Sequence, residues 1–176
     1  DKAQQEIDRR ISALNDLITR INGLVKLSAE QKTSISTSLQ GEVSALTALK
    51  AKIVADVDLA TLKTDIKSIT QSYRIFMLVI PQAHVAATAD VLIATSDMMA
   101  TLSSKLQVRI TSAQSEGKDV SSLNTLLADM NTKASDAKVQ AQAAVGYTAN
   151  LKPDNGDKTM MKTNADAFAK ARADFK

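Results

Sequence analysis

Residues 73–84 read YRIFMLVIPQAH, and the six residues from Ile75 to Ile80 are all apolar. Elsewhere in the chain, apolar residues recur three or four positions apart, as in a helix with one buried face. A helical segment that has no polar face is expected to be surrounded by protein. The sequence therefore predicts that this stretch is the middle of a long central helix, around which the other helices pack.

Pro81 directly follows the apolar stretch and is one of only two prolines in the chain. A proline inside a helix removes one backbone hydrogen bond and crowds the carbonyl group one turn earlier. No Gly, Asn or Ser stands beside it to form a turn, and helical spacing resumes at once. We therefore predict a kinked helix over residues 59–115, with a local defect at residues 77–81. Phe76 and Val79 are expected to be buried.

The composition favours long helices and argues against several kinds of function. Five glycines and two prolines in 176 residues leave few chain breakers. The absence of cysteine excludes disulfides and thiolate metal sites. The formal net charge of +3 is spread along the chain rather than clustered, which disfavours nucleic-acid binding. The most apolar window, residues 75–95, is interrupted by polar residues, so no transmembrane span is predicted.

Capping and turn residues divide the rest of the chain into helices. Ser28 and Gln31 match a capping box, and Asp58 is a good N-cap. Gly117 followed by Asp119 marks the end of one helix and the start of the next. Residues 150–157 form the one extended loop. The predicted helices cover residues 1–26, 29–56, 59–80, 82–115, 119–149 and 158–176.

Side chains that could carry chemistry are few. The single histidine, His84, excludes sites built on histidine pairs, and its place in the apolar stretch favours a packed or capping role over catalysis. Residues 154–157 (DNGD) lack the ligand spacing of a calcium loop, so an Asn-Gly turn with Asp157 as N-cap is the better interpretation. The methionine pairs at 98–99 and 160–161 are interpreted as core filling rather than as a metal or binding face. We expect neither an enzyme, nor a cofactor, nor a metal site.

Most of the chain resembles a group of predicted secreted, all-helical proteins of unknown function from uncultivated small-genome bacteria. The resemblance rests on the stretches EIDRRI (6–11), LTALKAKI (46–53), SYRIF (72–76), VIPQ (79–82) and LKPD (151–154). It implies an extracellular or cell-surface protein and supplies no active site. The chain begins without Met and ends within a periodic pattern, so we expect it to be a trimmed piece from which any targeting segment has been removed.

The predicted architecture is an all-α, elongated antiparallel bundle. Residues 1–80 and 82–176 would form two three-helix groups that share the central helix, an arrangement similar to tandem spectrin repeats. The proposed kink and interaction region comprises Arg74, Phe76, Pro81 and His84. The function expected is a non-enzymatic scaffold that binds another protein or a cell-envelope partner, with self-association left open. The alternative is a helical-bundle carrier or sensor that binds a small hydrophobic ligand or a lipid.

Overall fold

A computed structural model describes residues 2–24, 29–71 and 73–176, with the backbone alone at Gln31. Across these ranges the chain is helical and contains no strand, which confirms the all-α prediction. The helices are α1 (Lys2–Gly23), α2 (Ala29–Ala55), α3 (Leu59–Gln71), a π-helical turn (Ile75–Val79), α4 (Ile80–Ser115), α5 (Ser121–Thr148) and α6 (Lys158–Ala173).

Most predicted boundaries are confirmed, and local hydrogen bonds explain them. Asp58 caps α3 by accepting a hydrogen bond from the backbone N–H of Thr61 at 2.7 Å. Gly117 follows α4 with a φ of 80°, and Asp119 accepts from the N–H of Ser121 at 2.9 Å. Asp157 caps α6 through the N–H groups of Thr159 and Met160, at 2.7 and 3.2 Å. The capping box at Ser28 and Gln31 lies outside the described residues.

The predicted break in the central helix is misplaced. Helix α3 ends at Gln71, and Arg74 has a left-handed backbone with a φ of 42°. A π-helical turn then leads into α4, in which Pro81 is the second residue. A proline in the first helical turn removes a hydrogen bond that the helix would lack anyway. The described defect covers residues 73–79, so it overlaps the predicted residues 77–81 only at 77–79.

The largest core joins α1, α2 and α3 to the π-helical turn and to Ala83 and Ala87 of α4. Helices α1 and α2 are antiparallel, and Lys50 forms an ion pair with Asp8 at 2.6 Å across them. Lys52 pairs with the buried Asp65 of α3 at 2.9 Å. This core is built almost entirely from large aliphatic side chains: Ile7, Leu14, Leu17, Ile21, Leu39, Val43, Leu46, Leu49, Ile53, Ile69 and Ile75.

A second core joins the π-helical turn and the start of α4 to the end of α5 and to α6. It contains Leu78, Val85, Ala144, Phe168 and Ala171. Since α6 has 16 residues and α4 has 36, their lengths are about 24 and 54 Å, and α6 packs only near the start of α4. The remainder of α4 and α5, residues 92–137, forms an antiparallel pair that we call the distal hairpin. Its own buried cluster is small: Ile110, Val120 and Leu127.

Candidate functional site

Arg74 is held in place by an ion pair between parts of the chain that are far apart in sequence. Its guanidinium Nη2 lies 2.6 Å from Oδ1 of Asp154, and the two side chains are only 13% and 4% exposed. The same oxygen accepts the N–H of Gly156 at 2.8 Å. These bonds connect the break after α3 to the loop before α6. Asp154, which the sequence placed in a simple turn, is therefore a buried charged partner.

The pKa of Asp154 is shifted below its ordinary value. The main cause is the hydrogen bond from Arg74, and the N–H of Gly156 contributes in the same direction. Burial acts against this effect because it disfavours the charged carboxylate. The carboxylate is thus ionised in the folded protein, and Arg74 is the group that stabilises its charge.

Phe76 lies at the surface, contrary to the prediction that it is buried. It is 36% exposed, the neighbouring Met77 is 54% exposed, and Val79 is half-buried. The helical geometry of this stretch turns only Ile75 and Leu78 fully into the protein. A run of apolar residues therefore did not guarantee burial on every side.

The ring of Phe76 is covered by two arginines of α1. The guanidinium carbon of Arg9 lies 4.3 Å from the ring centroid, and that of Arg10 lies 5.3 Å away. These distances are typical of cation–π interactions. Arg10 is itself buried, and burial lowers its pKa from the ordinary arginine value. The Phe76 side chain thus connects the π-helical turn to α1.

Pro81 lies beside a glutamine that the sequence analysis did not single out. The side-chain amide of Gln82 donates to the carbonyl oxygens of Thr148 and Leu151, at 2.8 and 3.2 Å. These carbonyls lie at the end of α5, where a helix lacks internal donors. Gln82 therefore fixes the end of α5 against α4. The signal available in the sequence was Gln82 itself, a polar residue close after the apolar run.

His84 is exposed rather than packed or used as a cap, which corrects the prediction made for it. It lines an apolar groove of about 360 Å³ between α1 and α4, together with Leu17, Ile21 and Leu24. Across residues 2–24, 29–71 and 73–176, no group of three or more His, Cys, Asp or Glu side chains could hold a metal ion. The four residues proposed from the sequence do not form one pocket. Arg74 and Phe76 connect the break after α3 to the loop before α6 and to α1, and we call this region the joint. Pro81 is the second residue of α4, and His84 lines the groove.

An exposed apolar surface lies on the distal hairpin and was not predicted. Met99, Leu102 and Leu106 of α4 are 37%, 44% and 36% exposed, and Leu123 and Leu126 of α5 are 48% and 65% exposed. The prediction that the methionine pairs fill the core is wrong on this point, since the neighbouring Met98 and also Met160 of α6 are exposed as well.

Four of these side chains line two grooves of about 310 and 420 Å³ that join through Leu126 and Met130. The fifth, Leu102, lies one turn before Leu106 on α4 and is exposed. We call this surface the distal face. Its charged residues are Arg109, Asp129 and Lys133. The groove that His84 lines joins it through Leu92, so an apolar surface continues from α1 along α4 to the tip of the hairpin.

Small buried side chains explain why the distal face is apolar. Where α4 meets α5, the buried residues include Ser96, Ser103 and Ala141. The hydroxyl of Ser96 donates to the carbonyl of Leu92, one turn earlier, at 2.9 Å. Side chains this small let the helices approach closely, so the larger leucines and methionines lie outside the contact. Met99 and Leu106, which lie seven residues apart on one side of α4, are therefore exposed in the structure.

By length and composition alone, one helical stretch in the described chain could cross a membrane. It spans Leu59–Ser115 and contains an 18-residue window with a mean hydropathy of 1.6, of which 33% is buried in the protein. Buried core helices can also pass such a test. This is a marginal apolar helix rather than a strong transmembrane span, in agreement with the sequence prediction.

No protein-family model, curated protein or solved structure matches this chain significantly.

Proposed function

We propose that this chain is a non-enzymatic helical scaffold that binds a protein partner through the distal face. The observation that carries the proposal is the concentration of exposed apolar side chains on one side of one hairpin: Met99, Leu102, Leu106, Leu123 and Leu126. Contiguous apolar patches with a polar rim are typical of interaction surfaces. The charged residues Arg109, Asp129 and Lys133 provide such a rim.

The elongated two-group architecture is part of this proposal, with residues 1–80 and 82–176 sharing the central helix as in spectrin-like repeats. Contacts along α2 support a common direction for α3 and α4. Helix α3 and Tyr73 approach residues 45–52 of α2, whereas the start of α4 lines a groove with residues 34–42. Both helices therefore run antiparallel to α2, one after the other. If the chain folded back at Pro81, α4 would run parallel to α2 instead.

The accessible surface area also favours an extended shape. It is 10790 Å². A compact monomer of this mass is expected to expose about 8,300 Å². The additional area fits a rod in which the distal hairpin lies beyond the thicker part of the bundle.

Small-angle X-ray scattering tests this shape directly. A shared helix over residues 59–115 would be about 85 Å long, since the rise is about 1.5 Å per residue. The expected radius of gyration of such a rod is about 25 Å, compared with about 16 Å for a compact chain of this length. A measured value near the compact figure would contradict the two-group arrangement.

A carrier of a small hydrophobic ligand or lipid is the second candidate, because the distal face has grooves of a size found in ligand sites. Their volumes, about 310 and 420 Å³, lie in the range typical of small-molecule pockets. Both grooves are open to solvent, whereas such pockets bury most of the ligand surface. Binding of a hydrophobic dye to the native protein, displaced by a fatty acid, would favour the carrier.

An extracellular or cell-surface location is proposed from the sequence resemblance alone. It suggests that a partner should be sought in the cell envelope. The test is capture from an envelope extract with wild-type protein and two variants. Leu126→Glu places a charge in the distal face, whereas Val108→Glu places one at an equally exposed position nine residues after Met99, on the opposite side of α4.

We expect a stoichiometric partner that binds the wild type and Val108→Glu but is lost with Leu126→Glu. Leu126 is 65% exposed and Val108 is 70% exposed, so neither change should unfold the protein. Equal capture by all three proteins would overturn the assignment of the distal face as the binding surface.

A further inference from the structure

We infer that the distal face binds a second copy of this chain, so that two distal hairpins pack antiparallel into a four-helix bundle. This inference rests on the proposed function because it takes the distal face to be the interaction surface. It goes further by identifying the occupant. Four properties favour a second copy: the arrangement of two rim charges, the register of the apolar residues of α4, the position of α1, and the available area.

Two of the three rim charges, Asp129 and Lys133, are complementary to themselves. Asp129 and Lys133 lie one turn apart on α5, and their ion pair measures 2.9 Å with both side chains well exposed. A two-fold axis that crosses α5 midway between them would exchange their positions in the partner. Lys133 of each copy would then lie opposite Asp129 of the other. Four charges would form an alternating ring instead of two separate surface pairs.

The apolar residues of α4 are consistent with the same axis. The ion pair between Asp97 and Lys138, at 2.6 Å, and the contact of Ile110 with Leu127 fix the register of α4 against α5. At this register, the level midway between Asp129 and Lys133 falls between Leu102 and Leu106 of α4. Leu102 of one copy would therefore pack on Leu106 of the other, and the reverse contact would be equivalent. Such reciprocity is the property of an isologous interface.

The antiparallel orientation follows from the position of α1. The end of α1, from Leu17 to Leu24, lines the groove that continues the distal face toward the base of the molecule. Two copies side by side in the same direction would bring their α1 helices into collision. In the antiparallel arrangement, the hairpins overlap while the two thicker ends point away from each other.

The available area is sufficient for a weak dimer. From Leu92 to Ala113 the face is about 32 Å long, and two packed helices are about 20 Å wide. The surface covered would be roughly 600 Å² per copy, or about 1,200 Å² in total, at the lower end of specific interfaces. We therefore expect a dimer that dissociates at micromolar concentration.

Sedimentation velocity of the purified full chain tests the inference. The wild type and Val108→Glu should shift from monomer to dimer as the concentration rises from about 1 to about 200 μM, as expected for an interface of this size. Leu126→Glu should weaken the dimer about tenfold or more, because it would bury an unpaired charge. A wild type that stays monomeric, or a Leu126→Glu variant that dimerises as the wild type does, would overturn the inference.

Charge exchange gives a sharper test of the axis. Asp129→Lys leaves only positive charges at the two rim positions, and Lys133→Asp leaves only negative ones, so each variant alone should be monomeric. An equimolar mixture should form a heterodimer, since each positive pair then faces a negative pair. Rescue by mixing cannot arise from a change within one chain. A mixture that stays monomeric would overturn the inference, whereas circular dichroism confirms that each variant is folded.

The outcome separates this inference from the proposed function. If the purified chain is monomeric while a partner from the envelope extract is lost with Leu126→Glu, the distal face remains the interaction surface and the second copy is excluded as its occupant.

Discussion

The α1–α2 pair and the distal hairpin are both antiparallel pairs of long helices, but their interfaces differ in composition. Between α1 and α2, large aliphatic side chains such as Leu14, Leu39 and Leu46 are almost completely buried. In the distal hairpin, Ser96 and Ser103 occupy buried positions while Met99 and Leu126 are exposed. Because apolar burial is the main stabilising term in folding, the first pair contributes far more to stability. The second pair leaves large apolar side chains exposed, and our proposal of an interaction surface rests on this difference.

A matched pair of leucine truncations should show the largest difference between the two regions. Leu46 is 0% exposed, so Leu46→Ala removes buried methyl groups and leaves a cavity, at a cost of about 3–4 kcal/mol. Leu126 is mostly exposed, so Leu126→Ala should change the free energy of unfolding by no more than about 0.5 kcal/mol. Urea unfolding measured at a protein concentration low enough to exclude association checks both values. Equal costs would mean that the two interfaces are equivalent.

The stability contributed by the joint at Arg74 and Asp154 should be sensitive to acid. Asp154→Asn keeps an oxygen that can accept from Arg74 and Gly156 but removes the charge, and we expect it to destabilise the protein by about 2 kcal/mol at neutral pH. The folded pKa of Asp154 lies below the unfolded value of about 3.9. Its stabilisation is therefore fully present above that pH and is lost as the pH falls through the folded pKa.

The measurement is the difference in unfolding free energy between the wild type and Asp154→Asn as a function of pH. It should be constant from about pH 7 to pH 5 and should shrink below about pH 4, as the wild-type carboxylate takes up a proton. Lys162→Gln is the control variant. Because its ion pair with Asp166 is exposed at the surface of α6, its loss should change the unfolding free energy little at any of these pH values. A difference that does not depend on pH would show that the Asp154 charge does not stabilise the joint.

The all-α class and most helix boundaries could be predicted from the sequence because local residues determine them. Asp58, Gly117 and Asp157 act within a few residues of their own position, so their effect is visible in the sequence. The break after α3 was placed wrongly because its causes are not local. Arg74 leaves helical geometry and pairs with Asp154, which lies 80 residues away.

The candidate site was missed for a related reason. A heptad pattern identifies which residues share a side of α4, but not which side meets α5. Ser96 and Ser103 share a repeat with Ile110, and this side is buried, while the more hydrophobic side with Met99 and Leu106 is exposed. Hydrophobicity alone favours burial of the wrong side. The side of α4 that faces α5 is decided by how closely the two helices can approach at the alanine-rich part of α5. This property depends on both helices and cannot be read from α4 alone.

Substitutions of Phe76 at the joint should destabilise the protein by an intermediate amount. Because its ring is 36% exposed and lies under Arg9, we expect Phe76→Ala to cost about 1–2 kcal/mol, less than a fully buried aromatic side chain. Phe76→Leu keeps most of the apolar contact and removes the cation–π interaction, so it should cost about 0.5–1 kcal/mol. Thermal unfolding of both variants checks the order. A loss of more than about 3 kcal/mol for Phe76→Ala would restore the expectation of a core residue.

The smallest effect should be stabilising and similar in α2 and α5. Gly41 of α2 and Gly146 of α5 are exposed, and a Cβ atom at either position would have no neighbour within 4 Å. No other helix packs closely against Gly41, so packing does not compensate for the low helix propensity of glycine at this position. Replacing either glycine with alanine should raise the free energy of unfolding by about 0.5–1 kcal/mol. Gly117→Ala is the contrasting variant, because its φ of 80° disfavours a side chain and should make it destabilising. A different outcome is that alanine stabilises the protein at position 41 but not at position 146. It would mean that the last turns of α5 unfold independently of the α1–α2 core, so that their helix propensity does not contribute to the measured free energy of unfolding.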